Sequence, residues 1–402
     1  MTPRLTTSGT SRAALSLGAV SLFYLSLLMS GSANVLPQLF YQRFYPEHKA
    51  LLLALTLFLS TISALAGVAV SKRHRLGRNG VLVGLGVATA AALSVLSVQK
   101  AALYVWLICV LQFADNYLLN QVDHAAVART GAQNRGFNDV MGNIFRLLGM
   151  LCAPAFFPTF FGNWALLTAT VAALGGVASV GVVWLFRSVA EEAQAGKAAI
   201  SKPLDRADRL VFGYAICVYV ALYLFAANMI YLLGDLLHMP EPELRGGRSI
   251  VAVFIAAAVV NGVVGTLRRS LREWREIGAA AMGAPAFALF LAGGLLVAGV
   301  KPSFGVFLLF SMLVGGTYGL FLLELRGYVS RGARVEGKTL LLTRFNNMAN
   351  VSAAIAFGIM VALAAARAHA PGSLYIWTLS LIGGVPVAGL ILLVLGRRAF
   401  TS

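Results

Sequence analysis

The sequence predicts an all-α, polytopic membrane protein with twelve transmembrane helices arranged as two six-helix bundles related by a parallel repeat, and three observations carry that fold class. Of 402 residues, 59% are hydrophobic and only 12% charged, against about 45–50% and about 25% in ordinary soluble domains. Apolar runs of the ~20 residues needed to cross ~30 Å of hydrocarbon follow one another along nearly the whole chain. A short polar motif recurs at matching places in the two halves. Little chain is left for an appended soluble domain.

Windows of about 19 residues place the spans at 13–36, 50–71, 79–97, 101–123, 138–160, 164–186, 210–235, 249–267, 277–299, 304–326, 339–364 and 373–396. Hydrocarbon offers the backbone no hydrogen-bond partners, so each run is read as a helix. The first span follows Arg4 and Arg12 and exceeds the 7–15-residue apolar core of a signal peptide, so it is kept as a helix. Gly84 and Gly86 lie within the third span, where small residues let helices approach closely. Between the sixth and seventh spans, Ser188 to Asp208 is the longest polar connection and reads as a cytoplasmic linker. It separates an N-terminal bundle, 1–187, from a C-terminal bundle, 209–402.

Charge gives the orientation. The formal net charge of +17 would point to nucleic acid in a soluble chain. With the N-terminus cytoplasmic, 22 of the 32 Lys and Arg fall inside, 7 outside, and Arg146, Arg326 and Arg344 within or at the edge of spans. The positive-inside rule therefore places both termini in the cytoplasm and accounts for the basicity without nucleic acid. Cys109, Cys152 and Cys217 all lie in apolar stretches and read as packing, not as a disulfide framework.

The fifth span opens Arg135-Gly-Phe137-Asn138-Asp139-Val-Met141-Gly142-Asn143-Ile144, and the eleventh opens Arg344-Phe345-Asn346-Asn347-Met348-Ala349-Asn350-Val351. With two single-residue gaps the same pattern occurs twice, entering the membrane from the cytoplasm each time. Odd-numbered spans then share one orientation in both halves, so the duplication is parallel.

Twelve helices as six plus six, a polar central loop and parallel repeats resemble the major facilitator superfamily over nearly the whole chain. That family carries a Gly and then Asp-Arg-x-Gly-Arg between its second and third helices; here Gly67 is followed by His74-Arg75-Leu76-Gly77-Arg78, with His for Asp and a longer spacing. Its proton-driven exporters carry Gly-x-x-x-Gly-Pro-x-x-Gly-Gly in the fifth helix; Gly149 to Ala153-Pro154 fits the first part, and Phe157-Pro158 ends the fit. The resemblance implies a secondary transporter whose first, fourth, seventh and tenth helices line a central cavity.

Ionisable groups at membrane depth are functional candidates by default. In the fourth span Gln112, Asn116, Asn120 and Asp123 share one face, with Asp115 beside them. In the fifth, Asp139, Asn143 and Arg146 follow at i, i+4 and i+7. At ~1.5 Å per residue Arg146 lies about 10 Å in from Asp139, and Asp115 about 12 Å from Asp123, so an Asp115–Arg146 pair is expected. Asp115 is the first candidate for proton coupling, followed by Glu324 and Asp123, since a carboxylate whose surroundings alternate can load and release a proton. Solute binding is assigned to Asn34, Asn116, Asn120, Asn143, Arg146, Tyr223, Asn228, Tyr231, Asn347 and Asn350, and gating to Arg75, Arg78, Asp139, Arg344 and Asp235. Ser26, Ser30, Asn34 and Gln38 recur at steps of four in the first span, and Asn228, Tyr231 and Asp235 form one stripe near the outer end of the seventh. Packing ion pairs remain an alternative for the residues near the membrane edge, Asp123, Asp139, Glu324 and Arg344, because buried charges need partners in any protein.

Gly332 to Thr339 satisfies the P-loop pattern, but it joins two membrane spans with no strand before it, so Lys338 counts as one more inside charge. The five histidines are scattered, and neither a metal site nor a cofactor is expected. The expected protein is thus no enzyme. It is a monomeric secondary transporter of the inner membrane, moving a small polar organic solute such as a siderophore or metabolite, with protons and membrane lipids as its other partners and proton-coupled export as the direction. Import of the same solutes, a lipid flippase and a sensor that binds without translocating are the competing readings.

Overall fold

The computed structural model describes residues 12–129, 135–160, 162–187, 205–270, 275–335, 340–366 and 371–398. Among these residues every regular element is helical. In chain order they are α1 (Arg12–Ser30), a π-helical turn at Gly31–Val35, α2 (Leu36–Phe44), α3 (Lys49–Arg73), α4 (Arg78–Ser97), α5 (Ala101–Arg129), α6 (Arg135–Phe160) and α7 (Trp164–Arg187). Beyond the linker come α8 (Arg206–Tyr231), a second π turn at Leu232–Leu236, α9 (Pro242–Ser270), α10 (Arg275–Val297), α11 (Phe304–Val335), α12 (Leu340–Ala366) and α13 (Pro371–Arg398).

Ten helices among the described residues are long and apolar enough to cross a membrane. The two other expected spans fall on α6 and α10, whose apolar stretches, Ile144–Phe160 and Ala281–Val297, are shorter. Large apolar side chains such as Val83, Phe287 and Leu309 are about two-thirds exposed, at 67%, 67% and 65%. Surfaces of that kind suit acyl chains and would be a liability in water.

The chain forms two compact units, Met1–Glu47 with Leu59–Gly196, and His48–Phe58 with Lys197–Ser402. In the first, α1 packs on α5, α6 and α7, while α4 packs on α5 and α7. Tyr24, Tyr41, Tyr104 and Phe157 are fully buried there, and the Phe40 and Tyr104 rings stack with centroids 3.7 Å apart. In the second unit α8 packs on α12 and α13, α9 on α11, and α10 on α11 and α13. Its core gathers Val211, Tyr214, Ala286, Phe321, Met348 and Leu393.

Without a solvent-driven hydrophobic effect, close backbone approach holds membrane helices together. Gly315 and Gly319, one turn apart on α11, face the backbone of α9, and a Cβ at Gly319 would lie 2.5 Å from the Ala257 carbonyl oxygen. The N-terminus of α8 is closed by a capping box: the Asp208 amide donates to Asp205 Oδ1 at 2.8 Å and the Asp205 amide to Asp208 Oδ2 at 3.0 Å. Tyr328 on α11 also donates to the Asp208 carboxylate. Ordered helix therefore begins at Arg206, four residues before the seventh span read from hydropathy.

Candidate transport site

In the first unit, α5 carries a ladder of amides. Gln112 Nε2 donates to the Met29 carbonyl at 2.9 Å and to Ser32 Oγ at 2.7 Å. Asn116 Nδ2 donates to the Gln112 carbonyl at 2.9 Å and to Gln112 Oε1 at 3.2 Å, and Asn120 Nδ2 donates to the Asn116 carbonyl at 2.7 Å. Steps of four on a helix stack these side chains, so each amide reaches the turn above it. The ladder meets the first span at its π turn, where Ser32 Oγ also donates to the Leu28 carbonyl at 2.6 Å.

That π turn corrects the sequence reading. Steps of four keep one face only while the winding is α-helical, and a turn with i→i+5 bonds shifts everything beyond it. Ser30 donates to the Met150 carbonyl of α6 at 3.3 Å, while Gln38 Nε2, fully buried, donates to the Asn34 carbonyl at 2.8 Å. The side-chain oxygen of Asn34 is buried and has no hydrogen-bond partner among the described residues.

Asp115 is wholly buried, and neither carboxylate oxygen has a hydrogen-bond partner among the described residues. Tyr24 of α1, which shares a 2.8 Å hydrogen bond with Thr89 of α4, lies within its electrostatic reach. Arg146 on α6 is half-buried and makes no hydrogen bond to Asp115, so the expected pair is not formed. Asp115 lies in the packed interior of its own unit.

At the other end of α5, Gln121 is a residue that sequence reasoning missed. Its Nε2 donates to the carbonyls of His74 at 2.7 Å and Ser71 at 3.1 Å, and its Oε1 accepts from the Leu76 amide at 3.2 Å. A single amide thereby clamps the turn between α3 and α4 in which Arg75 and Arg78 lie. Both arginines are exposed, and Arg78 Nε donates to Asn79 Oδ1 at 3.3 Å. One signal was available: Gln121 is the only polar residue between Asn120 and Asp123.

In the second unit a charged cluster surrounds Asp235. Lys49 Nζ pairs with Asp235 Oδ1 at 2.7 Å, Tyr375 donates to Oδ2 at 2.6 Å, and the lysine sits 4.9 Å from the Tyr231 ring centroid. Lys49 and Tyr375 were not foreseen, since neither is near Asp235 in sequence. Tyr231 itself is buried, and Asp235 falls in the second π turn, so the stripe expected to run from Asn228 through Asp235 is likewise re-aimed. Asn228 is buried, donating to the Leu224 carbonyl at 2.8 Å and to Met360 Sδ at 3.5 Å. The Tyr223 ring lies edge-on to Phe357, centroids 5.8 Å apart.

Glu324 on α11 and Asn347 and Asn350 on α12 are half-buried. The side chains of Asp123, Asp139, Asn143 and Arg344 lie outside the described residues, as does most of the P-loop-like segment's end, 336–339.

No protein-family model matches the chain, and no curated protein matches it by sequence. Solved structures do. The nucleoside transporter NupG aligns over 94% of this chain and 98% of its own, with a TM-score of 0.66 at 14% identity. PepTSo, a POT family transporter, aligns over 98% and 99% with a TM-score of 0.69 at 12% identity. A D-xylose-proton symporter aligns over 95% and 96% with a TM-score of 0.66, also at 12% identity. The chain therefore shares the fold of these transporter structures, and that is the fold the resemblance in the sequence implied.

Proposed function

We propose that this protein is a proton-coupled secondary transporter of a small polar organic solute, working by alternating access in the inner membrane as a monomer among lipids. In this reading α1 to α7 supply six crossings over residues 1–187, the linker 188–208 is cytoplasmic, and α8 to α13 supply six more over 209–402, with both termini inside. Asp115 carries the proposal: a carboxylate fully buried among helices and given no partner by the described residues is placed to hold and release a proton. Asn116, Asn120 and Asn34 in the first unit, and Asn228, Tyr231 and Tyr223 in the second, offer the solute hydrogen bonds and ring faces. Arg146 would attract a carboxylate or hydroxamate, and Asn143, Asn347 and Asn350 extend the polar lining. Asp235, with Arg75, Arg78, Asp139 and Arg344, is assigned to gating, while Glu324 and Asp123 are secondary proton sites.

The solved structures of similar fold include a D-xylose-proton symporter, which supports symport as the first reading. Export is the second reading, favoured by the partial motif from Gly149 to Pro154. Vesicles holding purified protein and a pH-sensitive dye separate the two when uridine, D-xylose, a dipeptide or a hydroxamate siderophore is added outside. Symport acidifies the interior, and antiport alkalinises it. Asp115→Asn is expected to reduce the dye signal at least about tenfold, the scale on which removing an acid–base group acts. Radiolabelled solute crossing with a silent dye would overturn proton coupling, and unaltered transport by Arg146→Ala would remove Arg146 from the site.

A further inference from the structure

We propose that Gln112 is a positioning residue that holds the π turn of the first span in place and so presents the Asn34 side-chain oxygen to a hydrogen-bond donor on the solute. The inference rests on the proposed role of Asn34 in facing the solute, and it adds what that group selects for.

An α-helix satisfies its own backbone, whereas a π turn inserts a residue and loosens the ladder around it. In hydrocarbon a loosened carbonyl has no water to turn to, so a π turn needs outside donors. At Gly31–Val35 the chain supplies them. Leu36 donates its amide to the Gly31 carbonyl, five residues back, and the upstream carbonyls of Leu28 and Met29 receive Ser32 Oγ and Gln112 Nε2. Gln112 is fully used by this arrangement: both Nε2 hydrogens go to the turn, on Met29 and Ser32, and Oε1 accepts from Asn116. It is 3% exposed and comes from a different helix, so it fixes the turn relative to α5.

The consequence falls on Asn34, the fourth residue of the turn. An inserted residue rotates the remainder of the helix by about 100°, the angle per residue at 3.6 per turn. That rotation places Asn34 Oδ1 in a buried position where no group among the described residues donates to it. Being an acceptor, it selects solutes that bring an N–H or O–H group, such as a hydroxyl, an amine or a hydroxamate. The second π turn, Leu232–Leu236, also has a polar residue fourth, but there Asp235 already receives Lys49 and Tyr375. The acceptor left open is the one in the first span.

Two measurements on full-length protein in detergent test the proposal. The first is amide hydrogen exchange over Gly31–Leu36. Loss of the two Gln112 bonds in Gln112→Leu, or in Gln112→Met, which keeps the length of the side chain without a donor, should speed exchange there about tenfold or more and leave Leu232–Leu237 unchanged. Exchange that stays the same, or that accelerates equally throughout the chain, overturns the positioning role. The second uses Asn34→Cys in a background with Cys109, Cys152 and Cys217 replaced by Ala, treated with a charged methanethiosulfonate reagent that reacts only where water reaches. Cys at this position should react, and adding Gln112→Leu should slow the reaction about tenfold, because the loosened turn no longer holds residue 34 in that position. An unreactive thiol alongside accelerated exchange leaves Gln112 in its role at the turn and overturns the placement of Asn34 against the solute.

Discussion

Lys49 counts in the sequence among the seven basic residues expected outside, and it is the ion-pair partner of Asp235, 186 positions away. The two side chains are 13% and 31% exposed, so solvent screens them in part and their attraction is modest. A double-mutant cycle with Lys49→Ala and Asp235→Ala, read by thermal unfolding in detergent, should give a coupling of about 1 kcal/mol or less, in line with partly exposed pairs. It should shrink further near 1 M salt, where the screening length is about 3 Å. Tyr375→Phe removes the second donor to the same carboxylate and should weaken that coupling, because the hydroxyl helps hold Oδ2 in place. No measurable coupling at low salt would show that the lysine and aspartate act independently. By contrast, the amides at 112, 116 and 120 were legible in the sequence, since steps of four on one helix fix neighbours whatever the fold. Partners on other helices, Met29 and Ser32 for Gln112 and the His74 turn for Gln121, depend on azimuth and tilt, which no local pattern encodes.

Helices themselves were read well because twenty apolar residues in lipid leave the backbone only one economical conformation. The π turns were not read, since a one-residue insertion barely alters hydropathy. Two weak signs existed: the apolar helices containing them, Ser16–Phe44 and Arg206–Leu236, run 29 and 31 residues, well beyond the ~20 that span hydrocarbon, and each turn contains a glycine, Gly31 and Gly234. Glycines at helix contacts divide by what they touch. A Cβ at Gly84, which the sequence reading singled out, would meet the tip of Leu118 at 2.6 Å, and a leucine tip can turn aside. At Gly319 the obstacle is the Ala257 carbonyl oxygen at 2.5 Å, part of a helix backbone that can yield only by separating α9 from α11. Gly319→Ala should therefore destabilise the second unit by about 1–3 kcal/mol, and Gly84→Ala by less than about 1 kcal/mol. Thermal unfolding in detergent checks the order, and equal effects would mean that the α9–α11 contact is not held by close backbone approach.

Across the whole molecule the number of crossings decides whether the proposed topology stands, and α6 and α10 are where it is tested. Their apolar stretches are the shortest, and Pro154, Pro158 and Pro285 interrupt the helical ladder within them. Both stretches, Ile144–Phe160 and Ala281–Val297, reach the lower end of the ~17–25 residues that span hydrocarbon. Charge argues that they cross. Arg268, Arg269, Arg272 and Arg275 cluster just before α10, while only Lys301 follows it before α11. Such a steep basic asymmetry is what the positive-inside rule reads as a cytoplasmic entry and an outward exit. In a cysteine-free protein expressed in intact cells, Val300→Cys should react with a membrane-impermeant maleimide, and Arg272→Cys should react only after the cells are opened. The same contrast should hold across α6, with Asn163→Cys labelled from outside and Ala132→Cys from inside. Matching accessibility on both sides of either helix would leave that helix re-entrant, reduce the crossings of its half to five, and place the two termini on opposite sides of the membrane, so that the parallel duplication could no longer hold.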